Sequence, residues 1–90
     1  MEIQGNVHKV LPSVHGSSAN GTWKKQELVI VTMEQYPKKI AFEFWGDNCR
    51  DLDELKPGNI VKVQFNVESR EHEGRWYTTC KAWKMNLVAK

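Results

Sequence analysis

Alternating apolar and polar side chains predict that this chain is built mainly from β-strands. The clearest stretch is Lys39–Trp45, in which large apolar side chains occupy every second position. Because successive side chains of a strand point to opposite faces of a sheet, this alternation places Ile40, Phe42 and Phe44 in the core. Four further stretches are typical of strands, and they are Glu2–Leu11, Trp23–Met33, Ile60–Ser69 and Arg75–Leu87.

The last two stretches predict an antiparallel hairpin with one apolar face. In Ile60–Ser69 the residues at every second position are valine or phenylalanine, so we expect Val61, Val63, Phe65 and Val67 to point inward. The polar segment 70–74 is the expected turn. Two faces alternate along the final strand: Trp76, Thr78, Cys80 and Ala82 on the inner one, and Tyr77, Thr79, Lys81 and Trp83 on the outer one.

The segments between the strands predict one long loop and one short helix. Pro12–Thr22 contains turn-forming residues at most positions and few side chains that can pack, so we expect a long exposed loop. In Asp47–Leu55 the apolar residues recur every third position, which favours one or two helical turns with Asp47 or Asn48 as the cap. Pro57 and Gly58 end this segment.

This order of elements predicts the fold class. Five strands in an all-β domain, with a long first loop and one short helix between strands 3 and 4, is the order of the OB-fold, a five-stranded Greek-key barrel. An SH3-like barrel also has five strands, but it does not account for a helix at that position. With 90 residues the chain has room for a single domain, which we expect to span residues 1–90.

Composition and charge exclude several classes of protein. Hydrophobic residues make up 40% and charged residues 27% of the chain, which is typical of a folded globular domain rather than a disordered one. No apolar run approaches the roughly 18 residues of a membrane span, and the N-terminus lacks the pattern of a signal peptide, so we expect a cytoplasmic protein. We expect Cys49 and Cys80 to be reduced and buried.

Aromatic and basic residues share the faces of the strands that point away from the predicted core. Bases stack on aromatic rings irrespective of sequence, and lysine or arginine side chains neutralise phosphates. This combination predicts binding of single-stranded nucleic acid, DNA or RNA with DNA preferred, with little dependence on base sequence. The candidate binding residues are Trp23, Lys24, Lys25, Trp45, Lys62, Arg75, Tyr77, Lys81 and Trp83.

A protein-interaction or homo-oligomerisation module is the alternative, because exposed aromatic residues are also enriched at protein interfaces. The net charge of +2 does not decide between these functions. The first loop, which contains His15 and Gly16, either wraps around a bound strand or has no function, and the sequence leaves both open. The histidines and cysteines lack the spacing of a zinc site and no nucleophile has a local base, so we expect neither an enzyme nor a metal or other cofactor.

Several motifs resemble a small bacterial family of uncharacterised proteins. They are SANGTWKKQELV, YPKKIAFEFWGD, DELKPG and ESREHEGRWYTTCKAW. The resemblance runs nearly end to end and implies an OB-fold, but that family has no established activity. In its layout the chain is also similar to single-stranded-DNA-binding and primosomal replication proteins, which implies a nucleic-acid partner. Because one barrel of this size contacts only about 4 to 16 nucleotides, we expect a homodimer or higher oligomer that multiplies the contacts.

Overall fold

The computed structural model describes residues 1–90 and consists mainly of strands. Two short 3₁₀ turns, Gly46–Cys49 and Leu52–Glu54, lie in what we call the 3₁₀ segment (residues 46–54). The structure has no helix of the length and apolar character that crossing a membrane requires. The six strands are β1 (Glu2–Val10), β2 (Val14–Ser18), β3 (Gly21–Thr32), β4 (Lys39–Trp45), β5 (Ile60–His72) and β6 (Arg75–Ala89).

Five of these strands form a barrel, and β2 lies outside it as an edge strand. The sheet has the order β1-β5-β6-β4-β3-β2, and β1 pairs with β3 as well as with β5. The barrel closes where Glu43 of β4 lies opposite Lys81 of β6, in the one parallel contact. Gly5 lies where β1 pairs with both β3 and β5. A side chain at this position would prevent the close approach of β3, because its Cβ atom would lie 2.6 Å from the carbonyl oxygen of Val31.

The barrel interior contains the residues that the alternation predicts on β4 and on the first half of β5. Phe42 and Phe44 have no exposed surface, and Val61 and Val63 are equally buried. The rings of Phe42 and Phe65 meet edge to face with centroids 4.9 Å apart, which is a favourable geometry for aromatic pairs. The prediction of the core on these two strands is therefore confirmed at these positions, whereas Ile40 is only half-buried.

The prediction of a continuous loop over Pro12–Thr22 is wrong, because residues Val14–Ser18 form strand β2. This strand pairs antiparallel with β3 and places Gly16 opposite Trp23. Its residues are mostly small or polar and it covers no part of the core, so no apolar alternation marks it in the sequence. Pairing with the long β3, rather than burial, accounts for its extended conformation.

Val67 and Trp76 were expected to point inward, and the structure contradicts this. They are 44% and 68% exposed, because β5 and β6 continue past the barrel as a two-stranded hairpin arm (residues 66–80). Strand β1 covers β5 only as far as Gln64, so the inner face of the arm has nothing to pack against. Cys80, at the base of the arm, is only partly buried.

The turn of this hairpin is shorter than the predicted segment 70–74. His72 pairs with Arg75, which leaves Glu73 and Gly74 as the only turn residues. Their φ angles are 51° and 80°, and two positive φ values are typical of a type I′ turn, whose twist matches that of the flanking strands. Charged residues beside the turn therefore continue the strands instead of forming a loop.

The short helix predicted between the third and fourth barrel strands is present as the 3₁₀ segment. Cys49 and Leu52 of this segment and Leu55 directly after it are buried, as the three-residue period predicts. The expected side-chain cap is absent: the first turn follows Trp45, and neither Asp47 nor Asn48 makes a capping hydrogen bond. The Cys49 thiol donates to the carbonyl oxygen of Phe44 at 3.1 Å, and burial raises the pKa of this thiol.

A buried glutamine ties the 3₁₀ segment to the barrel. The Nε2 atom of Gln26 on β3 donates to the Leu11 carbonyl oxygen at 3.0 Å and to Asp53 Oδ1 at 2.9 Å. Burying an amide without partners is costly, so these bonds favour one position of the segment over others. These two hydrogen bonds hold together β3, the 3₁₀ segment and Leu11, the residue that follows β1.

Candidate functional site

Two tryptophans form an aromatic pair on the barrel surface. Trp23 lies near the start of β3 and Trp45 at the end of β4, and their ring centroids are 5.7 Å apart at an interplanar angle of 50°. They are 38% and 40% exposed, so each ring is partly packed and partly open to solvent. Lys25 is directly opposite Trp45 in the strand pairing, and its Nζ lies 5.8 Å from the ring centroid, within the range of a cation–π contact.

Gly16 of β2 determines where the ring of Trp23 lies. A Cβ atom built on Gly16 would come within 2.2 Å of the Trp23 six-membered ring, so the indole lies directly on the β2 backbone. The ring is therefore supported from behind by the edge strand, and any larger residue at position 16 would displace it. Strand β2 thus has a structural role at the aromatic pair.

Substitution Gly16→Ala tests this support. We expect the Cβ atom to push the indole of Trp23 off β2 and to disturb its contact with Trp45. In an ¹H–¹⁵N spectrum the indole N–H signals of these two residues should shift, while those of Trp76 and Trp83 should not. Ser17→Ala, one position further along β2, is the control and should leave all four signals in place. Four unmoved indole signals in Gly16→Ala would contradict the assignment.

The first of two grooves, groove 1, lies on the β2 side of the aromatic pair and has a volume of about 870 Å³. Strands β2 and β3 form one wall and the 3₁₀ segment forms the other. Lys24 and Arg50 place positive charge on opposite walls, while hydroxyl groups and His15 add hydrogen-bonding capacity. The lining residues are His15, Gly16, Ser17, Thr22, Trp23, Lys24, Gly46, Asp47 and Arg50.

Groove 2 lies between Trp45 and the hairpin arm and has a volume of about 500 Å³. Trp45 and Tyr77 are its aromatic residues, and Lys25, Arg70 and Lys81 are its cations. Two carboxylates, Glu43 and Glu68, also line it. The complete lining is Lys25, Glu43, Trp45, Glu68, Ser69, Arg70, Tyr77, Thr79 and Lys81.

The carboxylates of groove 2 hold two of its functional side chains in place. Glu43 Oε1 accepts a hydrogen bond from the Trp45 indole Nε1 at 3.0 Å, which restrains the ring. Glu68 Oε1 lies 2.8 Å from Lys81 Nζ. The hydrogen bond and the charge of Glu68 raise the pKa of the Lys81 ammonium. Groove 2 therefore has mixed charge.

The structure brings six of the nine residues singled out from the sequence into the two grooves. Trp23 and Lys24 line groove 1, and the other four line groove 2. Lys62 lies instead on β5 beside β1, with its Nζ 4.0 Å from Glu2 Oε2. Arg75 lies next to the hairpin turn, and Trp83 is half-exposed at the irregularity in the β5–β6 pairing.

Arg50 is a groove residue that sequence reasoning missed. In the sequence it stands among Asp47, Asp51 and Asp53, a setting that suggests local charge neutralisation. In the structure it forms no salt bridge and faces Lys24 across groove 1. No local signal could have found it, because its neighbours in the groove come from β2 and β3. The structure also places His15 and Gly16 of β2, from the segment that the sequence predicts as a loop, in groove 1.

Metal-binding geometry is not found at this surface or elsewhere. No group of three or more histidine, cysteine, aspartate or glutamate side chains comes together in a way that could hold an ion. The polar side chains of the two grooves are instead spread along two open surfaces on either side of the aromatic pair. Such an arrangement suits an elongated ligand that contacts both grooves.

A sequence family model described as "Domain of unknown function (DUF3127)" matches residues 2–86. The chain belongs to the DUF3127 family. The resemblance to a family of uncharacterised proteins is thereby confirmed. No curated protein sequence matches this DUF3127 protein.

Solved structures similar to the DUF3127 protein confirm the OB-fold and its similarity in layout to single-stranded DNA-binding proteins. The mitochondrial single-stranded DNA-binding protein of S. cerevisiae has a TM-score of 0.75 at 15% identity, covering 99% of this chain and 94% of that one. The SSB domain of a Synechococcus protein has a TM-score of 0.68 at 13% identity, covering 94% and 90%. A small single-stranded DNA-binding protein from Streptomyces coelicolor has a TM-score of 0.54 at 20% identity, covering 98% and 92%.

Proposed function

We propose that the DUF3127 protein binds single-stranded nucleic acid, preferentially DNA, across groove 1, the aromatic pair and groove 2. The observation that carries this proposal is the position of Trp23 and Trp45, two half-exposed rings between two grooves that contain cations. Stacking of bases on such rings contributes about 1 to 3 kcal/mol per base and tolerates every base. A strand of any sequence therefore has a place to bind.

Phosphate contacts on either side of the stacked bases hold the strand in the grooves. Lys24 and Arg50 are available in groove 1 because neither forms a salt bridge. Lys25 and Arg70 in groove 2 likewise form no salt bridge. Lys81 has to exchange its contact with Glu68 for one with a phosphate, so it contributes less than the four free cations.

The solved structures support this proposal through the fold. Two are single-stranded DNA-binding proteins and the third is an SSB domain, and each similarity extends over nearly the whole DUF3127 chain. Fold alone does not determine function, so the grooves and the aromatic pair carry the argument. On this proposal the protein is a binding protein without a cofactor, and not an enzyme.

Tryptophan fluorescence of the purified protein, titrated with oligo(dT), tests the proposal. Stacked bases should quench Trp23 and Trp45, and added salt should reverse the quenching because phosphate contacts release counterions. With four phosphate contacts the slope of log K against log[salt] should be about −3, at about −0.7 per contact for single strands. A protein-interaction module would show no quenching at low salt.

Two lysine variants make the salt measurement specific to the grooves. Lys24→Gln should reduce the steepness of the slope by about 0.7, which is one phosphate contact. Lys38→Gln removes the same charge from the opposite end of the β3–β4 hairpin, where Lys38 lies 2.9 Å from Glu34, and should leave the slope unchanged. Equal effects of the two substitutions would point to the overall charge of the protein rather than to groove 1.

Three sequence-based assignments and the oligomeric state remain predictions. Lys62, Arg75 and Trp83 lie outside both grooves, so they would contact a strand only if it continued beyond them. A single OB-fold contacts about 4 to 16 nucleotides, so a homo-oligomer would multiply the contacts. The exposed residues Val67 and Trp76 of the hairpin arm are candidates for contacts between copies.

A further inference from the structure

Glu43 occupies a position in groove 2 that a surface built only for phosphates would not contain. Both carboxylates of this groove are bound, but to different kinds of group. Glu68 pairs with the ammonium of Lys81, which neutralises it. Glu43 accepts a hydrogen bond from the neutral indole of Trp45 and forms no salt bridge, so its carboxylate lies at the edge of the ring. Lys81 lies opposite Glu43 in the strand pairing, and the charge of Glu43 adds to the effect of Glu68 in raising the Lys81 pKa.

The hydrogen bond determines where this charge lies relative to a stacked base. An indole N–H points outward in the plane of its ring, so the Glu43 carboxylate lies beside the edge of Trp45. A base that stacks on the exposed part of Trp45 with its offset toward the indole N–H places its own edge beside this carboxylate. The second carboxylate oxygen, Oε2, makes no hydrogen bond within the protein and is free to accept one from the base.

We infer that Glu43 selects, at the Trp45 position, bases that carry an exocyclic amino group. This inference rests on the proposed function and names the bases that its second groove prefers. Cytosine presents an N4 amino donor where thymine presents the O4 carbonyl oxygen, and carboxylates in proteins accept hydrogen bonds from cytosine N4. At Glu43, thymine therefore meets electrostatic repulsion where cytosine forms a charge-assisted hydrogen bond.

Competition between two oligonucleotides of about 12 nucleotides tests this inference, since that length falls within the range of one OB-fold. A labelled strand of mixed sequence is displaced by unlabelled oligo(dC) or by unlabelled oligo(dT) at the same salt concentration. The two competitors have equal numbers of phosphates and the same six-membered pyrimidine ring, so the phosphate contributions are matched. The C5 methyl group of thymine favours stacking of oligo(dT), so it cannot produce a preference for oligo(dC). We expect oligo(dC) to bind about tenfold more tightly, the order of one base-edge contact.

Two matched variants assign this difference to Glu43. Glu43→Gln keeps the shape of the side chain but removes its charge and adds an amide donor that suits thymine O4, so the preference for oligo(dC) should fall below about twofold. Glu68→Gln removes an equal charge from the same groove and frees Lys81. It should strengthen binding of both oligonucleotides and leave their ratio unchanged.

Each outcome bears on the inference separately from the proposed function. Equal binding of oligo(dC) and oligo(dT) by the unmodified protein would overturn the inference and leave the proposed function standing. If Glu43→Gln and Glu68→Gln both reduce the preference for oligo(dC) over oligo(dT) to the same extent, the role of Glu43 is overturned, since the overall charge of groove 2 would then explain the preference. Binding of neither oligonucleotide would overturn both proposals. The relative binding of oligo(dC) and oligo(dT) by the unmodified protein still tests the inference if the Glu43→Gln variant fails to fold.

Discussion

Substitution Phe42→Ala should destabilise the barrel by about 3 to 5 kcal/mol, as removal of a buried aromatic side chain typically does. Phe42 has no exposed surface and packs edge to face against Phe65 at the centre of the core. The cost combines the lost burial of the ring with the cavity that remains. For a domain of this size, each kcal/mol lost from the free energy of unfolding lowers the melting temperature by about 4 to 8 °C. The melting temperature of Phe42→Ala should therefore fall by more than about 12 °C.

Val67→Ala is the matched control for this experiment. Val67 has the same place in the apolar alternation of β5 that the core valines have, but it is 44% exposed on the hairpin arm. We expect its substitution to change the melting temperature by only a few degrees, measured by circular dichroism alongside Phe42→Ala. A large loss at Val67 together with a small loss at Phe42 would mean that the barrel interior has been assigned to the wrong face.

Substitution Trp45→Ala should weaken binding of oligo(dT) by about 1 to 3 kcal/mol, which is roughly a 5- to 150-fold increase in Kd. The variant removes one ring of the aromatic pair and the anchor that Glu43 and Lys25 share. Trp45→Phe keeps an aromatic face without the indole N–H and should lose less affinity. Fluorescence anisotropy of a labelled oligonucleotide measures both variants under the same conditions.

Trp76→Ala separates a role in binding from a general effect of removing tryptophan. Trp76 is 68% exposed on the hairpin arm and lines neither groove. We expect its substitution to leave Kd for a short oligonucleotide unchanged. A loss of affinity at Trp76 as large as that at Trp45 would move the binding surface from the grooves to the inner face of the arm.

Strand alternation predicted most of the barrel because strand geometry acts locally. The bounds of β4 agree with the predicted stretch at both ends, and Phe42 and Phe44 are buried as the period of two requires. The same rule failed at Val67 and Trp76, where the alternation continues but the barrel has ended. A period shows which residues share a face, and it does not show whether another element covers that face.

The candidate site was predictable only in part, for a related reason. The sequence marks aromatic and basic residues on the outward face, and six of nine line the two grooves. It does not show that Gly16 supports Trp23 or that Arg50 faces Lys24, because these contacts join residues from β2, β3 and the 3₁₀ segment. Such pairings depend on how the elements pack, and no local pattern encodes them.

The spacing of neighbouring side chains was enough to predict the strands of the barrel, the place of the short helix and the inward face of β4. Which outward residues form one surface follows from the packing of the elements. It added β2, extended the hairpin arm past the barrel and placed Glu43 beside the Trp45 indole. Secondary structure follows from local geometry, whereas a binding surface is assembled from residues that are distant along the chain.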